Sequence, residues 1–301
     1  MARILIIANP AASSFTGASL REVTRVLETR FEVDTEWPTS AAGSRAAAAA
    51  AAAAGYDAVA AMGGDGVAHQ VANGLVHTDT ALAVIPAGTT NVLARIIGLP
   101  SKPAKAAGVL VDCAPRPVTL VHVTDGTRSD HALFALGIGF DADVVRESDR
   151  RPLAKGSIGA LHYVRSAAVV AVRDYRSKPA NLRATCDGSS LNAVSVMVQV
   201  HNPYTYFGPL ALRFTDDTSD GPAAFAATSL PIRRSAAIVT RSVSRRDVAA
   251  AKGVEVWNGF QKLIVEADPK SPVQADGDLL GTGEYFEITP APAALKVLLP
   301  G

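Results

Sequence analysis

Short apolar runs alternate with helical periods along the first third of the chain. Residues 4–8 are apolar without interruption, as expected of a strand buried on both faces. Leu20, Val23 and Leu27 then recur at helical spacing within 19–29, and residues 31–37 alternate like a strand. Nine alanines at 46–54 form a helix from the best helix former, with Gly55 as its stop. Two further strands are expected at 57–62 and 81–86. Between them Val67, Val71 and Leu75 share one helical face. A short helix at 91–97 is stopped by Gly98 and Pro100, and 101–103 open another. This order predicts a Rossmann-like α/β domain: a parallel sheet with helices on both faces.

From about residue 117 strands dominate. They are expected at 118–124, 131–136, 181–186, 193–201, 223–228 and 262–267, with Asp187-Gly188 as a hairpin turn. Helices at 157–173 and 232–250 interrupt them. The pattern predicts two domains: 1–124, α/β, and 125–301, β-rich and mostly antiparallel, with the last residues packing back on the first. In the 232–250 helix Ile232, Val239, Val243 and Ala250 share a face opposite Arg234, Arg241 and Arg245. It reads as a surface helix with a solvated basic side, and that side is also suited to anionic lipid.

Composition narrows the class. The chain has 301 residues, 48% hydrophobic and 19% charged, with a formal net charge of +1. That excludes wholesale disorder and gives no support to a general nucleic-acid binder. Cys113 and Cys186 lie far apart, so no disulfide framework is expected. Residues 4–8 are shorter than a signal-peptide core, and 46–62 is mostly alanine with Gly55 and Asp57. A soluble chain able to touch a membrane surface is the expectation. The six histidines show no metal-ligand spacing, and neither G-x-S-x-G nor the Walker G-x-x-x-x-G-K-[ST] is present. Residues 137–142, GIGFDA, fit a dinucleotide fingerprint in outline, but no strand ending in an acid follows about 20 residues on.

Two glycine-bearing loops carry the chemistry. Gly63-Gly64-Asp65-Gly66 follows a strand and opens a helix. Its missing Cβ atoms let backbone approach a ligand, and its amides with the helix N-terminus favour a polyphosphate. Asp65 would repel a bare phosphate and makes sense beside a bridging cation or a transferring proton; the plain alternative is a capped turn. Pro86-Ala87-Gly88-Thr89-Thr90-Asn91 repeats the arrangement, with residues that are also natural caps. In a parallel sheet both loops fall at the strands' carboxyl ends, where ligands bind.

These two segments, GGDGVAHQVANGL and IPAGTTNVLAR, resemble the catalytic domain shared by diacylglycerol kinases and sphingosine kinases. Asn9-Pro10, Thr39, the 137–142 segment, Asp220-Gly221 and Asp276-Gly277-Asp278 extend the resemblance over nearly the whole chain. It implies a two-domain lipid kinase that uses ATP and Mg²⁺ and acts in the cleft between its domains. By that resemblance Asn9, Thr39, Gly63, Gly64, Asp65, Gly66, Gly88, Thr89, Asn91 and Asp278 form the nucleotide site. Asp276 is the general base on the lipid hydroxyl, a role assigned to Asp65 in parts of the family, and Asp217 and Asp220 fall near a loop that can hold a structural Mg²⁺. Val67 stands where the family usually has threonine, Gln70 where glutamate is common, and Asp278 where the last motif usually ends in glutamate. The resemblance further implies a lipid partner, diacylglycerol before a sphingoid base, and a cytoplasmic protein peripheral to the inner face of the membrane; it allows a homodimer. NAD kinase, which shares a GGDG loop, and a non-catalytic lipid or nucleotide binder are the alternatives.

Overall fold

The alternating runs of the first third fold into a parallel sheet. A computed structural model describes residues 1–150 and 159–301. It divides into two units, Met1–Thr119 with Pro292–Gly301, and Leu120–Ala291. The first unit therefore ends at Thr119 rather than at 124, and the last ten residues belong to it.

In that unit β1 (Ala2–Ala8), β2 (Phe31–Glu36), β3 (Ala58–Gly63) and β4 (Ala81–Pro86) pair in the order β2-β1-β3-β4, all parallel. The end of the last strand, β16 (Asp278–Leu299), lays Lys296 and Val297 parallel to Ala81 and Leu82 of β4. Every residue of β3 and β4 is buried, which explains their unbroken apolar sequence. The helices are α1 (Gly17–Leu27), α2 (Ala41–Ala53), α3 (Asp65–Leu75), α4 (Val92–Ile96) and α5 (Pro103–Leu110). Thr16 and Ser19 form a reciprocal capping box at the start of α1. The polyalanine helix has a packing purpose. Ala48 and Ala51 are buried, and a methyl at Gly74 of α3 would overlap the Arg45 carbonyl and the Ala48 side chain of α2. Small residues on both sides let the two helices approach closely.

The second unit is built on an antiparallel sheet. Strands β14 (Val254–Asn258), β13 (Ala223–Ala227), β10 (Ser195–Gln199), β7 (Ala135–Gly139), β15 (Leu263–Ala275) and the first part of β16 are neighbours in that order. A hairpin of β8 (Leu182–Cys186) and β9 (Ser189–Ala193) flanks β15, and β6 (Ser129–Ala132) pairs with β5 (Ala114–Thr124). A separate hairpin joins β11 (Thr205–Phe207) and β12 (Leu210–Leu212). Helices α6 (Phe140–Asp149), α7 (Gly159–Arg173) and α8 (Ile232–Val243) complete it. Leu136, Ile138, Val196, Val198, Phe260 and Phe286 lie in its core.

Four expectations are corrected. The strand expected at 131–136 is two strands, because Leu133, Phe134 and Ala135 turn their amides to the Asp276 carboxylate. The helix expected at 232–250 stops at Val243, and Arg245 adopts left-handed backbone, φ 55°, which ends it. That helix buries Ile238 and Ser242 and half-buries Arg234, while Ile232 and Val239 are exposed, the reverse of the expected orientation. The strand expected at 262–267 runs on to Ala275 and pairs with β16 in a long hairpin, where Pro269, Pro272, Pro290 and Pro292 interrupt the strand pattern; β15 accommodates irregularities between Glu266 and Ser271 and between Val273 and Gln274. The expected start of the 157–173 helix lies outside the described residues.

Candidate active site

The order β2-β1-β3-β4 places a topological switch point between β1 and β3, where open α/β sheets bind ligands at the strands' carboxyl ends. Both loops that flank it carry expected site residues. After β1, the Asn9 side chain accepts the Ala11 amide at 2.9 Å and the Asn9 amide donates to Met62 O at 3.0 Å, which fixes the loop's departure. After β3, Gly63 O accepts the amides of Ala87 (2.8 Å) and Gly88 (3.1 Å) from the loop that follows β4. Ser14 N donates to Ala87 O at 2.8 Å, and the Ser13 and Thr89 hydroxyls lie 3.2 Å apart. Three loops are thereby tied into one structure.

Glycine is required where they touch. A Cβ on Gly88 would stand 2.5 Å from Gly64 Cα, and one on Gly63 would stand 2.6 Å from the Val67 side chain. Asn91 has left-handed backbone, φ 49°, and its side chain closes the loop, accepting Gly88 N at 3.0 Å and donating to Gly88 O at 2.7 Å. Asp65 opens α3, with Gly66 next to it. The Asp65 Oδ1 accepts the Leu93 amide of α4 at 3.1 Å. It thus caps a helix whose own N-cap, Asn91, makes no side-chain cap bond. The N-terminal end of α3 and the hydroxyls of Ser13 and Thr89 give this loop cluster the donors an anion needs. Two of the three departures from the family pattern have local reasons: Val67 packs on Gly63, and Gln70 accepts Arg45 Nε at 3.1 Å.

Thr39 is exposed. It lines a shallow groove of about 560 Å³ with Trp37, Pro38, Ser40, Gly43 and the alanine face of α2. Trp37 meets Phe15 edge to face, ring centres 5.6 Å apart, so this groove adjoins the loop after β1.

In the second unit, Asp276 and Gly277 form the two-residue turn between β15 and β16, with φ of 52° and 90° and Ala275 paired to Asp278. Asp276 is buried. Its Oδ2 accepts the Leu133 amide at 2.8 Å, its Oδ1 those of Phe134 (2.9 Å) and Ala135 (3.1 Å), and its own amide donates to Ala135 O. Asp278 sits half-buried at the start of β16. Asp217 and Asp220 are exposed, and Asp217 Oδ1 accepts the Ser219 amide and hydroxyl, which hold its carboxyl below the usual range. Among the described residues no three His, Cys, Asp or Glu side chains converge as a metal-ligand set.

A buried polar network surrounds this hairpin. Gln274 accepts the Gly277 amide at 2.9 Å and donates to Asp141 Oδ2 at 2.5 Å, and the Tyr204 hydroxyl donates to the same oxygen at 2.6 Å. A side chain at Gly137 would strike Asp141, and one at Gly139 would strike the Val194 carbonyl. The glycines of the 137–142 segment thus serve packing. Next along α6, Asp143 pairs with Arg146 and accepts the Tyr175 hydroxyl at 2.6 Å; burial, with Asp143 beside it, pushes the Tyr175 hydroxyl pKa well up. Burial likewise lowers that of Lys178. The one sequence signal for Gln274 is its place two residues before the Asp276-Gly277 turn.

Comparison with known proteins places this architecture. The family model of the diacylglycerol kinase catalytic domain matches residues 3–123. A diacylglycerol kinase of Mycobacterium tuberculosis is 30% identical over 254 residues, 82% of this chain and 78% of that protein. An uncharacterised Synechocystis protein is 24% identical over 76% of this chain, which spans about half, 52%, of that relative's length. In fold, the chain is similar to a diacylglycerol kinase structure from Bacillus anthracis, with a TM-score of 0.76, 20% identity and 99% and 96% of the two chains covered. An NAD kinase of Archaeoglobus fulgidus, solved in complex with ATP, shares the fold more distantly, with a TM-score of 0.53, 11% identity and coverage of 99% and 94%. The chain belongs to the diacylglycerol kinase family.

Proposed function

We propose that the chain is an ATP-dependent lipid kinase that transfers the γ-phosphate to a lipid hydroxyl, with diacylglycerol as the acceptor. The observation that carries this reading is the junction of three loops at the β1/β3 switch point, where Gly64 and Gly88 meet without side chains. A polyphosphate needs backbone donors, hydroxyls and close approach, and this cluster offers all three. The donor set also fits Mg²⁺, which is commonly held by one or two carboxylates together with phosphate oxygens. Asp65 is the carboxylate at this cluster, and Mg²⁺ when bound would neutralise charge on the phosphates. Gly63, Gly64, Gly66, Gly88, Thr89 and Ser13 would surround the phosphates, with Asn9 and Asn91 keeping the loops in shape.

Asp276 is the proton acceptor in this reading. Three amides fix the orientation of its carboxylate, and a positioned base is what a hydroxyl nucleophile requires. The lipid hydroxyl gives its proton to Asp276, its oxygen bonds the γ-phosphorus, and the bond to the β-phosphate oxygen breaks to release ADP. Among the described residues no helix is long and apolar enough to cross a membrane; the proposed enzyme meets its substrate peripherally, at the cytoplasmic face.

The test is transfer from labelled ATP with Mg²⁺ to a panel of diacylglycerol, sphingosine and NAD. Label in phosphatidic acid is the expected result. Label in a sphingoid phosphate would move the acceptor, label in NADP would replace the reading with NAD kinase, and ATP binding without transfer to any acceptor would leave a binding protein.

A further inference from the structure

Among the described residues eight large hydrophobic side chains stand well exposed, and five of them cluster on three touching elements of the second unit. They are Val169 and Val172 on α7, Leu210 on the β11–β12 hairpin, and Ile232 and Val239 on α8. Helix α8 packs on β12 and α7, and α7 packs on β11. Such clustering is not the scatter of single apolar residues that surfaces normally show.

The orientation of α8 is the decisive feature. Ile232, Ala236, Val239 and Val243 follow the i, i+4, i+7, i+11 spacing of one stripe. The body of the unit is met instead by the side bearing Arg234, Ser235, Ile238 and Ser242. Arg234 reaches inward to Thr228 and Ser229. Among the described residues nothing covers the apolar stripe of this amphipathic helix, the side that such a helix is built to bury.

Charge identifies that partner. Segments 165–178, 205–213 and 230–247 hold ten Lys and Arg against two acids, Asp174 and Asp247, in a chain whose net charge is +1. Arg165, Arg173, Arg176, Arg233, Arg245 and Arg246 are exposed. A second copy of the chain would have to lay this basic surface on itself in a symmetric contact. An anionic bilayer accepts both parts, apolar side chains at the acyl boundary and arginines at the headgroups.

We infer that α8, α7 and the β11–β12 hairpin form a docking surface for an anionic lipid bilayer. The choice of a bilayer rests on the lipid-kinase reading; the outward stripe does not. The full chain should float with vesicles of phosphatidylglycerol and phosphatidylcholine and bind pure phosphatidylcholine vesicles far less. I232D with V239D should cut partitioning by about tenfold or more, since both positions are exposed and move a charge into the acyl boundary. R233Q with R245Q and R246Q should cut it by about fivefold per arginine and flatten its salt dependence. Both variants should keep the unfolding midpoint and the rate on a dispersed short-chain diacylglycerol. Unchanged flotation of both variants would overturn the surface. So would a dimer in solution that I232D with V239D converts to monomer, because the stripe would then meet a second copy. Stripe-dependent flotation by a protein that phosphorylates no lipid would uphold the surface and sink the kinase reading alone.

Discussion

Asp65 and Leu93 stand 28 residues apart, and the Asp65 carboxylate accepts the Leu93 amide at 3.1 Å. One side chain therefore opens one helix and caps the next, so its structural and chemical roles must be separated. Asp65→Asn keeps an oxygen for the Leu93 amide and loses the charge. It should hold stability within about 1 kcal/mol and lower turnover by about 100-fold or more. Asp65→Ala should lose the same activity and a further cap of about 1 kcal/mol. Denaturant unfolding beside a transfer assay distinguishes the two; equal activity of Asn and wild type would end the catalytic role.

Gly88→Ala should cost about 1–3 kcal/mol, because its methyl would stand 2.5 Å from Gly64 Cα and backbone has nowhere to retreat. ATP binding should weaken with it. Gly108→Ala is the opposite case: it lies inside α5 with nothing within 4 Å of the added atom. It should stabilise by about 0.5–1 kcal/mol. The contrast is read from two unfolding curves.

Asp187 and Asp276 hold the same turn position in two hairpins, and each gives its carboxylate to backbone amides of a neighbouring segment. Asp187 binds Gln261 and Lys262, at 2.9 Å each, while Asp276 binds three amides in a buried site. Asp276→Asn turns an NH₂ toward an amide donor and should cost about 1–3 kcal/mol. Asp187→Asn, at an exposed turn, should cost less. If Asp276 is the base, its Asn variant also loses turnover per folded molecule, whereas a purely structural aspartate would lose only the folded fraction.

Gln274→Leu removes the donor to Asp141 and the acceptor for Gly277 together. It should destabilise by about 2–4 kcal/mol and lower kcat more than KM for ATP, since ATP is proposed to bind the loops of the other unit. A variant with wild-type kcat at full folding would show that the network does not position Asp276.

Burial and the nearby Asp187 push the Cys186 thiol up to about 12. The folded protein then keeps its proton while an unfolded thiol ionises near its ordinary value, so stability should fall as pH rises from about 9 toward 12. Cys186→Ala should flatten that part of the pH–stability curve. A thiol reagent at pH 8 should label neither Cys113 nor Cys186 before unfolding, as both are buried.

Much of the first unit could be read from local pattern. The buried strands announced themselves as unbroken apolar runs, and Gly63-Gly64-Asp65-Gly66 and Gly88 stood between a strand and a helix. Turn chemistry is equally local: Asp187-Gly188 was legible as a hairpin, and Asp276-Gly277 has the same signature. Proline hid the long β15–β16 hairpin, because propensity arguments demote a strand at each one.

The sequence by itself determined the element order, the small-residue loops and the amphipathic period of residues 232–243, because each depends on neighbours a few positions away. Tertiary structure alone decided that Gly88 lies on Gly64, that Asp276 takes its amides from residues more than 140 positions earlier, and that the apolar stripe of α8 faces outward. A helical period states that a helix has two unlike sides. Which of them meets the protein is fixed by the surface it packs against, and that surface is assembled from segments distant in the chain.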